Sequence, residues 1–277
     1  MRLGISSSLK HDTPKEWAKK MVQMECRSVV FPVNCNSSEE MISAYAAAAK
    51  ENDLHIAEVG VWENAISLSE QERTRAMEYS IGQLKLADKI GAGCCVNIIG
   101  SIGERWDGGY AENFSKETWR RAVKMIQDVI DEAKPKNTYF TIEPMPWMYP
   151  SGPEEYLQLM EDVNRERFAV HMDVINMINS PERYFFPEKF VEHCFKLLGD
   201  KIKSCHLKDV FLKQEFTFQL QECACGAGTF CLERYAQLAL EVNPNMPMII
   251  EHLKSDEDYF NSMAYVKKRL KNYLIRQ

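Results

Sequence analysis

The sequence lacks any segment suited to crossing a membrane. Its longest apolar runs, residues 91–100 and 246–250, are far shorter than the roughly 20 residues that a membrane-spanning helix needs. The first residues, MRLGISSSLKHD, contain no apolar stretch of the kind found in secretory signals. We therefore expect a cytoplasmic protein with no membrane partner.

An excess of basic residues is also absent. The 277-residue chain has 34 Lys and Arg against 40 Asp and Glu, which gives a formal net charge of −6 at pH 7. Nucleic-acid-binding proteins commonly carry a basic patch or stripe, because their affinity comes largely from contacts with phosphates. No such stripe is visible, so we expect no nucleic-acid partner.

A disulfide framework is missing as well. The nine cysteines are an odd number without regular spacing, which indicates reduced thiols. Cys223, Cys225 and Cys231 lie close together, but no fourth ligand follows at a spacing suited to zinc. The sequence predicts neither disulfides nor a thiolate metal site.

What the sequence does contain is a regular alternation of short β-type runs with longer helical segments. Its composition, 45% hydrophobic and 27% charged, is typical of a soluble globular protein. The strand candidates are rich in Val, Ile and Phe and are bounded by Gly, Pro, Asn or polar clusters. They are Arg2–Ser7, Ser28–Phe31, His55–Val61, Cys94–Ile99, Thr138–Glu143, Phe168–Asp173, Ile202–His206 and Met248–Glu251.

Helix starts are marked between these strands. Thr13-Pro14 combines a capping residue with proline at the first helical position. Ser-x-x-Glu patterns predict further starts at Ser37, Ser69 and Ser151. The longest predicted helix begins at about Ser69 and stops before Gly91.

Eight alternations of strand and helix predict parallel strands joined by right-handed crossovers. An open doubly wound sheet is the alternative, but its glycine-rich fingerprint is missing after the first strand, where Ser6-Ser7-Ser8 stand. The length alone would allow two domains of about 150 residues, yet no linker-like tract divides the chain. The predicted fold is therefore α/β, a single (β/α)8 TIM barrel that occupies residues 1–277 as one domain.

Four successive predicted strands deliver a carboxylate or an imidazole where they end. Glu143, Asp173, His206 and Glu251 stand at the ends of the fifth, sixth, seventh and eighth strands. Active sites of such barrels lie at the carboxyl ends of the strands, so we expect these side chains at one rim. Singly, each acid would be read as a helix cap and the histidine as a core residue. Together they suit one divalent metal ion, with Mn²⁺ as first choice and Mg²⁺, Co²⁺ or Fe²⁺ as alternatives.

At these residues the sequence resembles the sugar isomerase/epimerase superfamily of xylose-isomerase-like barrels. The motifs that carry the resemblance are Ile142-Glu143-Pro144, Val170-His171-Met172-Asp173-Val174-Ile175-Asn176, Asn179-Ser180-Pro181, His206-Leu207-Lys208-Asp209, Gly226-Ala227-Gly228 and Glu251-His252. Within the superfamily the sequence is most similar to the ketose 3-epimerase and related branch. The resemblance implies that Glu143, Asp173, His206 and Glu251 hold the metal. It also implies a small-molecule sugar substrate and a homodimer.

The sequence departs from its relatives at three places. Ketose 3-epimerases usually have a histidine three residues after the ligand aspartate, where Asn176 stands here, and an arginine soon after the ligand histidine, where residues 207–213 supply none. Xylose isomerases have a lysine two residues after the first glutamate, and Met145 occupies that position. A two-metal hydride shift is therefore not expected.

The resemblance implies an isomerase of carbohydrate metabolism. Such an enzyme would remove an α-proton from a keto sugar or related polyol through an enediolate, with Glu143 and Glu251 as acid and base. A lyase or dehydratase acting on a keto-inositol or oxidised sugar would share this first step. An AP endonuclease is disfavoured because its additional histidines are missing, and a non-catalytic binding barrel is a further alternative.

Several side chains are candidates for binding the substrate. Trp62 and Trp147 follow the third and fifth strands and could stack on a sugar, although core packing is the alternative. Asn97, Asn176 and Lys208 could orient hydroxyl groups. For Lys208 the alternative is a solvated surface charge.

Three further residues have expected positions. His171 has the same strand parity as Asp173, so we expect it inside the barrel in support of the metal ligands. His252 should point away from the neighbouring Glu251 by the same rule. Glu58 is placed among the loop residues that set substrate specificity.

Overall fold

The computed structural model describes residues 1–273 and contains a closed barrel of eight parallel strands. Together with two strands outside the barrel, the strands of the described residues are β1 (Arg2–Ile5), β2 (Ser28–Val30), β3 (His55–Gly60), β4 (Cys94–Asn97), β5 (Phe140–Ile142), β6 (Phe168–Met172), β7 (Ile202–Leu207), β8 (Asp209–Leu212), β9 (Leu220–Cys223) and β10 (Pro247–Ile250). Around the barrel their order is β1-β10-β7-β6-β5-β4-β3-β2, while β8 and β9 form a separate antiparallel pair. The predicted (β/α)8 barrel is confirmed.

Helices cover the outside of the barrel. They are α1 (Pro14–Gln23), α2 (Glu39–Glu51), α3 (Glu70–Ile90), α4 (Lys116–Ala133), α5 (Pro153–Val163), α6 (Pro181–Phe185), α7 (Pro187–Leu198), α8 (Leu232–Val242) and α9 (Asp256–Arg269). Among residues 1–273, no helix combines the length and apolar character that crossing a membrane requires.

The strands of the barrel are buried on both faces. Every residue of β4 and of β6 is buried, as expected for parallel strands that face the barrel interior on one side and helices on the other. The last strand pairs with the first, with Leu3 opposite Met248 and Ile5 opposite Ile250. This pairing leaves no open sheet edge in the barrel.

The helix starts confirm some of the capping signals and correct others. The side chains of Thr13 and Ser69 accept hydrogen bonds from the backbone amides three residues later, as predicted. The prediction of Ser37 was wrong by one residue, because Ser38 caps α2. The prediction of Ser151 was also wrong by one, since the cap of α5 is Gly152.

A hairpin that the sequence pattern did not predict lies between β7 and α8. Strands β8 and β9 pair from Asp209 with Cys223 to Leu212 with Leu220, and Phe216 at the tip is fully exposed. The buried Asp209 carboxylate accepts hydrogen bonds from the backbone amides of Val210, Gly226 and Phe230. This carboxylate therefore ties the base of the hairpin to the segment that leads into α8.

All nine cysteines are free thiols, as the sequence predicted, and six of them are buried. Cys94 and Cys95 lie side by side within β4, where both are fully buried. They serve as small apolar side chains in the barrel wall and in the layer beneath the helices.

Candidate metal centre

Four neighbouring strands bring Glu143, Asp173, His206 and Glu251 together at the carboxyl end of the barrel. Glu143 follows β5, Asp173 follows β6, His206 lies in β7 and Glu251 follows β10, and these strands are consecutive in the order around the barrel. One ligand atom from each side chain lies within 4.8 Å of all the others. All four residues are at most 3% exposed. The structure thus assembles the set of residues that the sequence predicted.

One oxygen of each carboxylate is fixed by a neighbour. The Asn176 side chain donates to Glu143 Oε1 (2.9 Å), and its backbone amide donates to Asp173 Oδ1 (3.2 Å). Lys208 Nζ donates to Glu251 Oε1 (2.6 Å). The second oxygens face His206 Nδ1, and that of Asp173 also contacts Lys208 Nζ. We call Glu143, Asp173, His206 and Glu251 the metal set, after the role that the sequence predicts for them. Asn176, predicted to bind substrate, therefore contacts two members of the metal set.

The donor set fits a divalent cation. Glu143 Oε2, Asp173 Oδ2 and His206 Nδ1 are buried and make no hydrogen bond of good geometry, although Asp173 Oδ2 has Lys208 Nζ as a charged neighbour at 2.5 Å. His206 Nδ1 lies 2.8 Å from Glu251 Oε2, 3.5 Å from Glu143 Oε2 and 3.8 Å from Asp173 Oδ2. Buried polar atoms without partners are costly unless something binds them. Three carboxylate oxygens and one imidazole nitrogen are the donors that Mn²⁺, Mg²⁺, Co²⁺ and Fe²⁺ share.

Lys208 lies inside this acidic cluster rather than in solvent. Its Nζ is 2.5 Å from Asp173 Oδ2 and 3.4 Å from Glu222 Oε2, and the residue is 2% exposed. The alternative of a solvated surface charge is therefore wrong. Burial alone would lower the pKa of Lys208, but the surrounding carboxylates, Asp173 foremost, raise it well above its ordinary value. Lys208 is a permanent cation beside the metal set.

The two glutamates have opposite electrostatic environments. Burial, together with the negative charges of Glu251 and Asp173, raises the pKa of Glu143 well above its ordinary value. For Glu251 burial acts in the same direction, but the positive charges of His206 and Lys208 outweigh it and lower the pKa to about 2. Among these protein charges alone, Glu143 therefore favours its protonated form and Glu251 its ionised form.

A second layer of polar side chains lies below the metal set, inside the barrel. His171 and Glu58 are 0% and 1% exposed. His171 Nδ1 is 3.7 Å from Glu58 Oε1, and His171 Nε2 is 3.7 Å from Glu143 Oε2. His171 thus points inward, as its strand parity predicted. Glu58 lies within β3 and not in a loop, although it also reaches the floor of the cavity described next.

A cavity of about 350 Å³ opens above the metal set. Its apolar wall consists of Val30, Trp62, Ile98, Trp106 and Met145, and its polar wall consists of Ser6, Glu58, Asp107, Glu143, His206, Glu251 and His252. Pockets of this size, mostly apolar with a few convergent polar groups, are typical of small-molecule sites. A larger groove of about 570 Å³ lies between α3 and α4 and contains none of these residues.

The substrate-binding candidates fall on different parts of this cavity. Trp62 lines it directly, and Trp106, which the sequence pattern did not single out, lies beside it. Trp147 is outside the lining, but its Nε1 donates to the backbone oxygen of Asp107 at 2.7 Å. The fully buried Asn97 does not reach the cavity, because its side-chain amide is bonded to the backbone of Glu63.

His252 differs from its expected orientation. Its backbone has a φ of 57°, in the left-handed region, so strand alternation no longer applies beyond β10. The ring turns into the cavity, where Nδ1 lies 3.0 Å from Glu222 Oε1 and Nε2 lies 3.4 Å from Glu251 Oε2. The Glu222 contact raises the pKa of His252, which adds positive character to the rim.

Comparison with known proteins agrees with this fold. A profile described as xylose isomerase-like TIM barrel matches residues 20–269. No curated protein matches the chain at the sequence level.

Several solved structures have a similar fold at low sequence identity. D-psicose 3-epimerase from Clostridium cellulolyticum H10, solved with D-tagatose, has a TM-score of 0.72 at 14% identity and is aligned over 100% of both chains. A xylose isomerase-like TIM barrel protein from Mycobacterium smegmatis, in complex with magnesium, has a TM-score of 0.69 at 14% identity, over 95% of this chain and 91% of the other. The 3-keto-D-glucoside 4-epimerase from E. coli has a TM-score of 0.69 at 13% identity, over 97% and 99%. At these identities the likeness establishes the fold.

Proposed function

Because the chain belongs to the xylose isomerase-like TIM barrel family, we propose that it is a divalent-metal-dependent sugar isomerase or epimerase that acts on a keto sugar or related polyol. The observation that carries this proposal is the buried cluster of possible ligand atoms from Glu143, Asp173, His206 and Glu251, three of which (Glu143, His206 and Glu251) line a cavity. Several structural neighbours are themselves sugar epimerases, which supports the same class of reaction.

In this proposal the four residues hold one divalent ion, with Mn²⁺ as first choice; Mg²⁺, Co²⁺ and Fe²⁺ suit the same donors. When bound, such an ion would polarise the substrate carbonyl and offset the negative charge that develops on its oxygen. Asn176 and Lys208 keep the carboxylates in place. Trp62 and Trp106 provide apolar faces against which a sugar ring or chain can pack.

Glu251 and Glu143 carry the proton transfers. Their pKa values are displaced in opposite directions, which is how two carboxyl groups in one site acquire acid and base roles. The ionised Glu251 takes the proton from the carbon next to the carbonyl, and the electron pair of the broken C–H bond forms the carbon–carbon double bond of an enediolate. Protonated Glu143 then returns a proton to that carbon. Return on the opposite face inverts the centre, since the two glutamates arrive from strands three places apart around the rim.

The test follows proton exchange with solvent. The protein with Mn²⁺ is incubated with a panel of ketoses in D₂O, and NMR measures deuterium at the carbon next to the carbonyl. We expect the wild-type protein to incorporate deuterium into at least one sugar, and Glu143→Gln and Glu251→Gln to reduce the rate by about 10²- to 10⁴-fold. Exchange at the wild-type rate in either variant would contradict the two-base scheme.

A matched control is Glu63→Gln. Glu63 is a rim-loop glutamate paired with Arg75 (2.8 Å) and lies outside the cavity lining, so its variant should exchange at the wild-type rate. The same spectra identify the product. Inversion of a hydroxyl centre supports an epimerase, whereas loss of water or of a substituent points to the lyase alternative.

A further inference from the structure

We propose that Glu58 is a positioning residue that orients the His206 ring so that Nδ1 faces the metal site. Glu58 Oε2 lies 3.4 Å from His206 Nε2, the ring nitrogen directed away from the other carboxylates. Nδ1, on the opposite side of the ring, is 2.8 Å from Glu251 Oε2. The two nitrogens of this ring thus contact different partners. The inference rests on the metal binding of the proposed function.

The contact between Glu58 and His206 spans the barrel. Their strands, β3 and β7, are four places apart in a ring of eight, so they stand on opposite sides. Glu58 is 1% exposed and extends through the interior to reach the ring. A charged carboxylate is costly to bury in a barrel core unless it has specific partners. Its place inside the barrel therefore requires an explanation that apolar packing does not give.

Glu58 is itself held in place by Ser204. The Ser204 hydroxyl donates to Glu58 Oε1, which leaves Oε2 for His206. Ser204 and His206 are two residues apart on β7, so their side chains share the inner face of that strand. One strand therefore supplies both the metal-site imidazole and the hydroxyl that fixes the carboxylate behind it.

This arrangement selects one tautomer of His206. A neutral imidazole has a single N–H, and the nitrogen that binds a metal must be the one without it. An N–H on Nε2 donates to the Glu58 carboxylate, which leaves the lone pair of Nδ1 directed at the metal site. Without Glu58, nothing on the Nε2 side competes with Glu251 for the proton, and an N–H on Nδ1 would block the site. Carboxylates behind metal-binding histidines commonly act in this way.

A different role for the same residues is a separate metal site formed by Glu58, His171 and His206. Both nitrogens of His171 are buried and without partners, which leaves them free to bind an ion. Such a site would use His206 Nε2 while Nδ1 served the first ion, so the ring would have to lose both of its protons. The positioning role needs no such step and is the one we favour.

The experiment measures Mn²⁺ affinity in the full-length protein by isothermal titration calorimetry. We expect Glu58→Gln, which keeps the shape but removes the charge, to raise the dissociation constant about 10- to 100-fold. Glu63→Gln, the same change at a half-buried site outside the cluster, should leave the dissociation constant unchanged. In ¹⁵N-histidine-labelled protein with Mg²⁺, NMR should show His206 protonated at Nε2 only, and this preference should weaken in Glu58→Gln.

The outcomes separate the hypotheses. Equal Mn²⁺ affinity and an unchanged His206 tautomer in folded Glu58→Gln would overturn the positioning role. If that variant does not fold, Ser204→Ala is tested instead. We expect it to raise the dissociation constant for Mn²⁺ about three- to tenfold, and an unchanged dissociation constant would contradict the positioning role. If the wild-type protein binds two Mn²⁺ ions per chain, and Glu58→Gln and His171→Gln each bind only one, the separate site would be established instead. Failure of the wild-type protein to bind any divalent ion would contradict the proposed function itself.

Discussion

At the scale of single residues, Lys208 has the most exceptional environment. Its ammonium group is enclosed by Asp173 and Glu251 at 2.5 and 2.6 Å, with no access to solvent. Breaking a buried ion pair by removing one partner costs about 3–5 kcal/mol, because the other charge is left unpaired. A divalent ion bound as proposed would act on the same carboxylates as the lysine and oppose the same negative charge.

We therefore predict that Lys208→Met destabilises the metal-free protein by about 3 kcal/mol or more. Added Mn²⁺ should restore more stability to the variant than to the wild-type protein, since the ion offsets the charge left behind. Urea denaturation in EDTA and in Mn²⁺ measures both quantities. The control is Lys201→Met, an exposed lysine paired with the exposed Asp200, which should change stability by less than about 1 kcal/mol. A loss as small as that of the control would refute the prediction.

The metal set was predictable from sequence because each member stands at the end of an apolar strand, where a charge is conspicuous. The residues around it were harder to predict from the sequence. Glu58 stands within β3, and its contacts with Ser204 and His206 on the opposite side of the barrel become visible only in the structure. Lys208 directly follows β7, and its burial depends on carboxylates from two other strands. The orientation of His252 depends on a positive φ that side-chain alternation does not predict.

At the scale of secondary-structure elements, α2 allows a direct test of helix capping. The Ser38 hydroxyl accepts a hydrogen bond from the Met41 backbone amide at 3.2 Å, whereas the adjacent Ser37, which the sequence pattern favoured, caps nothing. We predict that Ser38→Ala lowers the free energy of unfolding by about 1 kcal/mol. Ser37→Ala should have an effect within about 0.5 kcal/mol. Chemical denaturation of the two variants under identical conditions checks this, and equal losses would contradict the assignment.

The elements of the barrel were predictable because their patterns are long and are punctuated by caps and turns. The β8–β9 hairpin was not, since Val210, Phe211 and Leu212 follow β7 after only Lys208 and Asp209, with no glycine or proline to mark a turn. Its antiparallel pairing depends on Asp209, whose carboxylate gathers amides from residues far along the chain. Such contacts are set by tertiary structure and leave no local signature.

At the scale of the whole molecule, the barrel closes only when β10 pairs with both β1 and β7. We infer from this closure that the described residues 1–273 form one domain, because each half of the chain alone would leave two strand edges open. Charges buried inside the barrel therefore affect the stability of the entire fold.

The stability of the metal-free protein should consequently depend on pH through His171. Burial, followed by the positive charge of His206, lowers the pKa of this imidazole from 6.5 to about 4. The folded-state pKa is below the unfolded one, so the contribution of the neutral ring is fully present above pH 6.5 and is lost as the pH falls. Between pH 7 and pH 4 this loss amounts to about 3 kcal/mol.

His171→Gln removes this titration. We predict that the difference in unfolding free energy between the wild-type protein and His171→Gln shifts by about 3 kcal/mol against the wild-type protein from pH 7 to pH 4. Denaturation curves in EDTA at a series of pH values measure the shift. A difference that stays constant with pH would show that the ring is not held neutral by the barrel.

The burial of the cysteines has a consequence for the chemical reactivity of the protein. Desolvation raises the pKa of the Cys26, Cys205 and Cys225 thiols to about 12. At neutral pH only about one in 10⁵ of these groups is a thiolate, and the thiolate is the form that peroxides and alkylating agents attack. The burial that encloses the carboxylate cluster thus also protects these three thiols from oxidation.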